Sequence, residues 1–357
     1  MRAADCMTLS GEESVTQSQT IVIKVIKTDE CNVHANQLTA TWTQPTGETY
    51  VTQVEDDNKG NYFVRGKFTS PGVCKLDVSA DGEPIKQSPM IIKIEKEGLV
   101  NTIQVHVDRN LSHVVKHGGF LLVSVFINEI LVYKQSGKYI GTVILPQGVV
   151  VDRMYKMKNG SLAFSDTYTC IKVCDMNGQV IKSIGQGLLI DPSGIHVHKT
   201  SNIVYVGDRY RGCVLIFDIG SGEFKGSIGS QCNRGQMSGV IDVTITNKGH
   251  ILILEYENSR LQLFDNKGKF MKVLVGAGDE NGKVRYPGGV VVDEDDNIII
   301  SSRHKLQLFS SDGNYIKRID KPEDGIKRPY GLSIISYHPR SVAVVNNGDK
   351  TIKIFNY

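Results

Sequence analysis

From Leu111 onward the chain repeats itself, and this repetition restricts the fold more than any other feature. Two elements recur. The first is an alternating strand that runs into a glycine turn: ILVYKQSG, IKVCDMNG, VLIFDIGSG, LQLFDNKG and LQLFSSDG. Their glycines, Gly137, Gly178, Gly222, Gly268 and Gly313, are 41, 44, 46 and 45 residues apart. The second is a small turn entering an apolar strand: PQGVVV, PSGIHV, MSGVIDV, PGGVVV and PYGLSI. Its glycines at 148, 194, 239, 289 and 331 are 46, 45, 50 and 42 apart. A strand-only repeat of about 40–50 residues is the signature of a β-propeller blade, whose sheet has an apolar face that must stack on a neighbour.

Each unit predicts four strands, as in GVVVD, GSLAFSD, IKVCD and QVIKSIG. Six blades follow, at 111–145, 146–187, 188–230, 231–277, 278–321 and 322–357. The last stops at TIKIFNY, one strand short, and NTIQVHV (Asn101–Val107) is free to supply the missing strand. Closing the ring from both ends leaves no open sheet edge to aggregate.

The region before the repeats differs in charge. Up to Gly98 there are 10 Lys/Arg against 14 Asp/Glu, and from Leu99 onward 31 against 24, giving −4 and +7. Such a shift marks two domains, with the boundary near Glu95–Leu99. The first region predicts strands at Ile21–Lys27, Leu38–Gln44, Thr49–Glu55, Asn61–Phe68, Val73–Ser79 and Met90–Glu95, separated by the turns PTG, NKG, SPG and ADG. Short β-branched strands at this density fit an immunoglobulin-like sandwich. The expected organisation is a disordered 1–15, a sandwich at 16–98 and a propeller at 99–357, all-β throughout.

Two resemblances sharpen this reading. Gly60, Tyr62, Pro71, Gly72, Val73, Gly82, Ile85, Ser88 and Pro89 carry a pattern that resembles the filamin-type (ABP280) repeat. PGGVVVDEDDNIII and RLQLFDNKGKFMKVLVG are similar to the NHL repeat, whose acid-to-arginine pairing persists here as Glu255 with Arg260. A filamin-type domain followed by NHL repeats resembles the carboxy-terminal half of tripartite-motif (TRIM-NHL) proteins. The resemblance implies the recognition half of a ubiquitin ligase without its RING, B-boxes and coiled coil. It also implies that the propeller rim binds a partner protein or a single-stranded or hairpin RNA.

The residues themselves point to binding rather than catalysis. The chain contains no G-x-S-x-G, P-loop or H-E-x-x-H motif. His196 and His198 share one face of a strand, but no third metal ligand accompanies them, and no catalytic or metal-binding residue and no cofactor is expected. The seven cysteines form no C-x-x-C knuckle, and all are expected to be reduced thiols in a cytoplasmic protein. The first twenty residues lack a signal-peptide pattern, and the longest apolar run, Phe120–Ile127, is too short to span a bilayer, so no membrane is expected; DNA is not an expected partner either.

The loops at one end of the blades are the candidate site. They bring Arg209, Tyr210, Arg211, Arg260, Arg285 and Tyr286 onto one rim with Arg303, His304, Lys305, Lys327, Arg328 and Tyr330. Arginine interleaved with tyrosine suits stacked bases and phosphates, and equally suits the anchors of a protein interface. The same loops carry Glu255, Glu257, Asp279, Glu280, Glu323 and Asp324. This acidic admixture places a partner protein ahead of RNA, with a propeller hydrolase or lyase the weakest alternative.

Overall fold

A computed structural model of the chain describes every residue except Met1, Asp29, Tyr168, Lys199 and 230–236. The inter-blade loop QCNRGQM and the turn TYTC therefore fall partly outside the described residues. Strands dominate, and the described residues contain no α-helix, only three short 3₁₀ turns. Two compact units are present. One is Met1–Gly98 with Ser336–Ser341 and Asn356–Tyr357, and the other is Leu99–Ile335 with Val342–Phe355.

The first unit is a sandwich of two sheets. Met7–Ser10, Thr20–Lys27, Tyr62–Lys67 and Glu55–Asp56 form one, in that order. Ser14–Thr16, Met90–Glu95, Gly72–Ala80, Leu38–Thr43 and Thr49–Thr52 form the other, with Glu83–Pro84 beside Gly72–Ala80. The alternation of TIVIKVIK at 20–27 is the reason it lies flat on the core: Ile21, Ile23 and Val25 are buried, and the residues between them are not. Trp42 is fully buried, donates its indole N–H to the Arg65 carbonyl at 3.0 Å and meets Phe68 edge-on at 5.2 Å.

Two expectations are corrected in this unit. Residues 1–15 were expected to be disordered, yet Met7–Ser10 pairs antiparallel with Thr20–Lys27, and Ser14–Thr16 pairs parallel with Met90–Glu95. Met7, Leu9 and Val15 enter the core, so apolar burial fixes a segment whose polar composition hides it. Cys6 and Cys31 form a disulfide rather than two thiols, while Cys74, Cys170 and Cys174 are free and buried and Cys213 is buried.

The second unit is a propeller of six four-stranded sheets. Blade I holds strands within 113–144, blade II within 151–184, blade III within 192–228, blade IV within 240–275 and blade V within 287–318. Blade VI contains Pro329–Tyr337, Arg340–Asn346 and Thr351–Asn356, and Gly98–Gln104 completes it as the fourth strand. The first strands of successive blades adjoin one another from I to V. The ring closes where Ser301 donates to the Tyr330 carbonyl at 2.7 Å and the Gly331 N–H donates to the Ser112 carbonyl at 3.0 Å. Closure demands close approach. A Cβ on Gly331 would lie 2.6 Å from the Ser112 carbonyl oxygen and 2.7 Å from the Arg153 guanidinium, which is why the PYG turn ends in glycine.

Candidate rim site and channel

One device recurs at the ends of the second strands and positions the rim loops. Asp166 accepts the Val150 N–H at 2.8 Å, Asp208 the Ile190 N–H at 2.8 Å and Glu255 the Ser238 N–H at 2.8 Å. Asn346 does the same for Lys327 at 2.6 Å. Each side chain thus ties down the loop that enters the first strand of its own blade. Unpaired backbone N–H groups in such tight loops would be costly, so the acid of the NHL consensus acts as a loop anchor.

Most of the rim cations are committed to these acids or their neighbours. The Arg260 Nε donates to the buried Glu255 at 2.6 Å, the pairing expected from the sequence. Arg211 lies 3.9 Å from Asp208, and Lys327 lies 3.8 Å from Asp349. Arg285 and Arg303 share Asp279 at 3.3 and 2.7 Å, and together they hold its carboxyl below the ordinary range. Lys305 is buried and donates to the carbonyls of Asp279 and Glu280 at 2.9 and 2.7 Å, and burial lowers its pKa. It anchors the 279–280 loop and offers no free charge at the surface. Arg328 is exposed and has no carboxylate partner among the described residues.

Five of the twelve expected residues converge. Tyr286, Arg303, His304, Arg328 and Tyr330 line a cavity of about 490 Å³. Tyr256, Asn110 and Asn347 join them, with Pro287, Gly288 and Pro329. The rings of Tyr256 and Tyr286 lie 5.4 Å apart and tilted. Arg209, Tyr210, Arg211, Arg260, Arg285, Lys305 and Lys327 do not line it. Tyr210 stands 73% exposed. Tyr256 directly follows Glu255 in the YENSR turn, and that adjacency was the available sign of its place at the rim.

Beneath the rim lies a polar cluster that the sequence reading overlooked. The first strand of blade II is Val151–Lys156, so Arg153 sits inside it beside Asp152, whereas the expected strand GVVVD stops at Asp152. Both are 1% exposed. The Arg153 guanidinium crosses the ring, donates to the Gly288 carbonyl and stacks 4.1 Å from the centre of the Tyr330 ring. Tyr330 is thereby half-buried, a floor to the cavity and not a free stacking platform. Arg209 reaches Asp152 at 3.5 Å and Asp191 at 3.6 Å.

Two titratable groups complete the cluster. Asp242 accepts the N–H groups of Val243 at 3.0 Å and Val290 at 2.9 Å, and burial pushes its carboxyl up to about 6 against the opposing pull of Arg153. Burial, reinforced by Arg153, pushes His113 down to about 3, and its Nδ1 accepts the Met154 N–H at 3.4 Å. Among the described residues no group of three or more His, Cys, Asp or Glu is arranged to hold a metal ion. His196 instead meets the Thr244 hydroxyl at 3.3 Å and the Tyr155 ring at 5.2 Å, and His198 meets Ser201 at 2.9 Å. No described helix is long and apolar enough to cross a membrane.

Known proteins agree with both units. Residues 4–91 match the Filamin/ABP280 repeat. The first unit is a filamin repeat. The chain is also similar to "Protein brain tumor" of Drosophila melanogaster, 27% identical over 119 residues that cover 32% of this chain and 10% of that protein. The "E3 ubiquitin-protein ligase NHLRC1" of Homo sapiens is 29% identical over 162 residues, covering 45% of this chain and 38% of the ligase. These relatives are NHL-repeat proteins, and the chain spans less than half the length of either. Among solved structures, a protein of unknown function from Bacteroides thetaiotaomicron superposes with a TM-score of 0.58 at 12% identity, covering 99% of this chain and 98% of its own. A streptogramin B lyase superposes at 0.52 and 14% identity, over 72% of this chain and 86% of its own. Both show the propeller fold alone. The filamin repeat followed by a propeller similar to these proteins is in keeping with the resemblance to TRIM-NHL proteins.

Proposed function

We propose that the chain is the non-catalytic recognition half of a TRIM-NHL-type ubiquitin ligase and that its propeller rim binds a partner protein. The observation that supports a protein over RNA is the state of the rim cations. Of the eight arginines and lysines expected there, six pair with a carboxylate and Lys305 with two carbonyls. An RNA strand held by several phosphates needs several uncommitted cations, because each phosphate contact displaces a counterion. A protein interface needs a few buried aromatic and arginine anchors, which the tyrosine-walled cavity provides.

The test is selection of phage-displayed peptides on the immobilised chain, followed by Tyr286→Ala and Arg303→Ala. We expect the selected peptides to bind through the rim and each substitution to weaken them at least about fivefold, roughly 1 kcal/mol. A random single-stranded RNA pool should show no retention on a filter at low salt, where non-specific attraction is strongest. Peptides indifferent to both substitutions would refute rim recognition. RNA retention that falls steeply and linearly with the logarithm of salt would replace the protein reading with the RNA one.

A further inference from the structure

We infer that the cavity between the rim loops of blades IV, V and VI takes a single anionic side chain, phosphoryl or carboxylate, presented by a segment of the partner protein. This rests on the partner-binding reading above and adds the chemistry of what is bound.

The charge of the lining carries the inference. Two guanidinium groups and an imidazole face this space, and among the described residues no carboxylate lines it. Arg303 is partly compensated by Asp279 at 2.7 Å, a carboxylate it shares with Arg285, whereas the charge of Arg328 is uncompensated among the described residues. An exposed, unpaired guanidinium beside aromatic walls offers a planar fork to two oxygens of one anion, the geometry in which arginine binds best. One unpaired guanidinium in the lining matches one anionic group and not a chain of phosphates.

The aromatic walls specify the rest. Tyr286 is 51% exposed and leans on Tyr256, so an apolar stem or ring attached to the anion has faces to pack against. The side chains are also aimed by an unusual backbone. Tyr286, Arg303 and Arg328 have φ of 45°, 44° and 48°, a region that residues with a Cβ seldom occupy. Hydrogen bonds hold two of them there: Tyr286 N–H to Ser259 Oγ at 3.1 Å and Arg328 N–H to the Arg303 carbonyl at 3.0 Å. Glycine would adopt these conformations with less strain, yet each position carries a side chain directed at the same recess.

The experiment uses the full chain with three small probes: phenyl phosphate, 3-phenylpropanoate and neutral benzyl alcohol, titrated by ligand-observed NMR. We expect at least one anion to bind about tenfold more tightly than benzyl alcohol. Arg328→Gln should weaken that anion about tenfold and leave benzyl alcohol and the melting temperature unchanged, since Arg328 makes no described side-chain contact that folding needs. The tighter of the two anions identifies the source as a phosphorylated or an acidic side chain. Equal binding of all three probes, or anion binding unaltered by Arg328→Gln, would overturn the inference. If rim-selected peptides keep full affinity for Arg328→Gln, the anion site is refuted while partner recognition stands. Loss of rim binding by every peptide would instead remove the recognition reading itself. A uridine octamer that displaces phenyl phosphate at low salt would overturn the inference in favour of RNA.

Discussion

The two titratable groups inside the propeller ring oppose each other, and their balance is measurable. His113 has a folded pKa of about 3 against an ordinary 6.5, so below the ordinary value the unfolded chain binds a proton that the folded chain refuses. Stability is therefore lost as pH falls through that window. Asp242 has a folded pKa of about 6 against an ordinary 3.8, so in that interval the folded chain binds the extra proton. Its contribution has the reverse sign, and stability is gained as pH falls. Integrated from pH 7 to about pH 5, each effect is on the order of 1–2 kcal/mol and the two have opposite signs, so the parent changes less than either group alone would change it. Each single variant should unmask the other group. Relative to the parent, His113→Gln should gain roughly 2 kcal/mol between the two pH values, and Asp242→Asn should lose roughly 1 kcal/mol. Urea unfolding at both pH values provides the assay, and comparing each variant with itself cancels any uniform change in stability. Profiles parallel to the parent in both variants would refute the account of these buried groups.

Two further predictions concern closure of the ring. Truncation after Lys350 removes Ile352, Ile354 and Phe355, which are 0%, 5% and 0% exposed. It should cost upward of about 5 kcal/mol and give aggregated or dye-binding protein; a soluble product with an unchanged melting temperature would contradict the shared sixth blade. Gly331→Ala puts a Cβ 2.6 Å from the Ser112 carbonyl oxygen, so a loss of about 1–3 kcal/mol or more is expected by thermal unfolding, against little change for Gly119→Ala, where space is open.

The propeller was legible because each blade repeats the same strands and turns, so periodicity averaged over five or six copies outweighs any one degraded motif. The filamin strands were legible from alternation, to within a residue or two at Thr20–Lys27 and Tyr62–Lys67. Met7–Ser10 was not, because a four-residue strand carries too little pattern to stand out from a polar terminus. Arg153 was hidden for a different reason. Its charge reads as surface, and only three-dimensional closure places it against Tyr330 and two glycines. At the rim, Tyr286, Arg303 and Arg328 line one cavity, but ion pairing is a property of geometry that residue type does not carry. The sequence therefore did not distinguish Arg328 from Arg260, whose charge is already spent on Glu255.

The strand Gly98–Gln104 finds its partner at Thr351–Asn356, and residues 105–350 lie between them. On a ribosome adding about 5–20 residues per second, that strand waits roughly 12–50 s for the segment that completes its sheet. Throughout that time its edge is open and Val100, 56% exposed even in the finished fold, has no sheet to join. The blades between can form one at a time as they emerge, but the seam is sealed last and without a covalent bond. Chaperone dependence during synthesis should therefore concentrate on this strand. A circularly permuted gene of residues 98–357, without the filamin repeat, that joins the two strands by a short turn and opens the ring between two other blades should shorten the exposure.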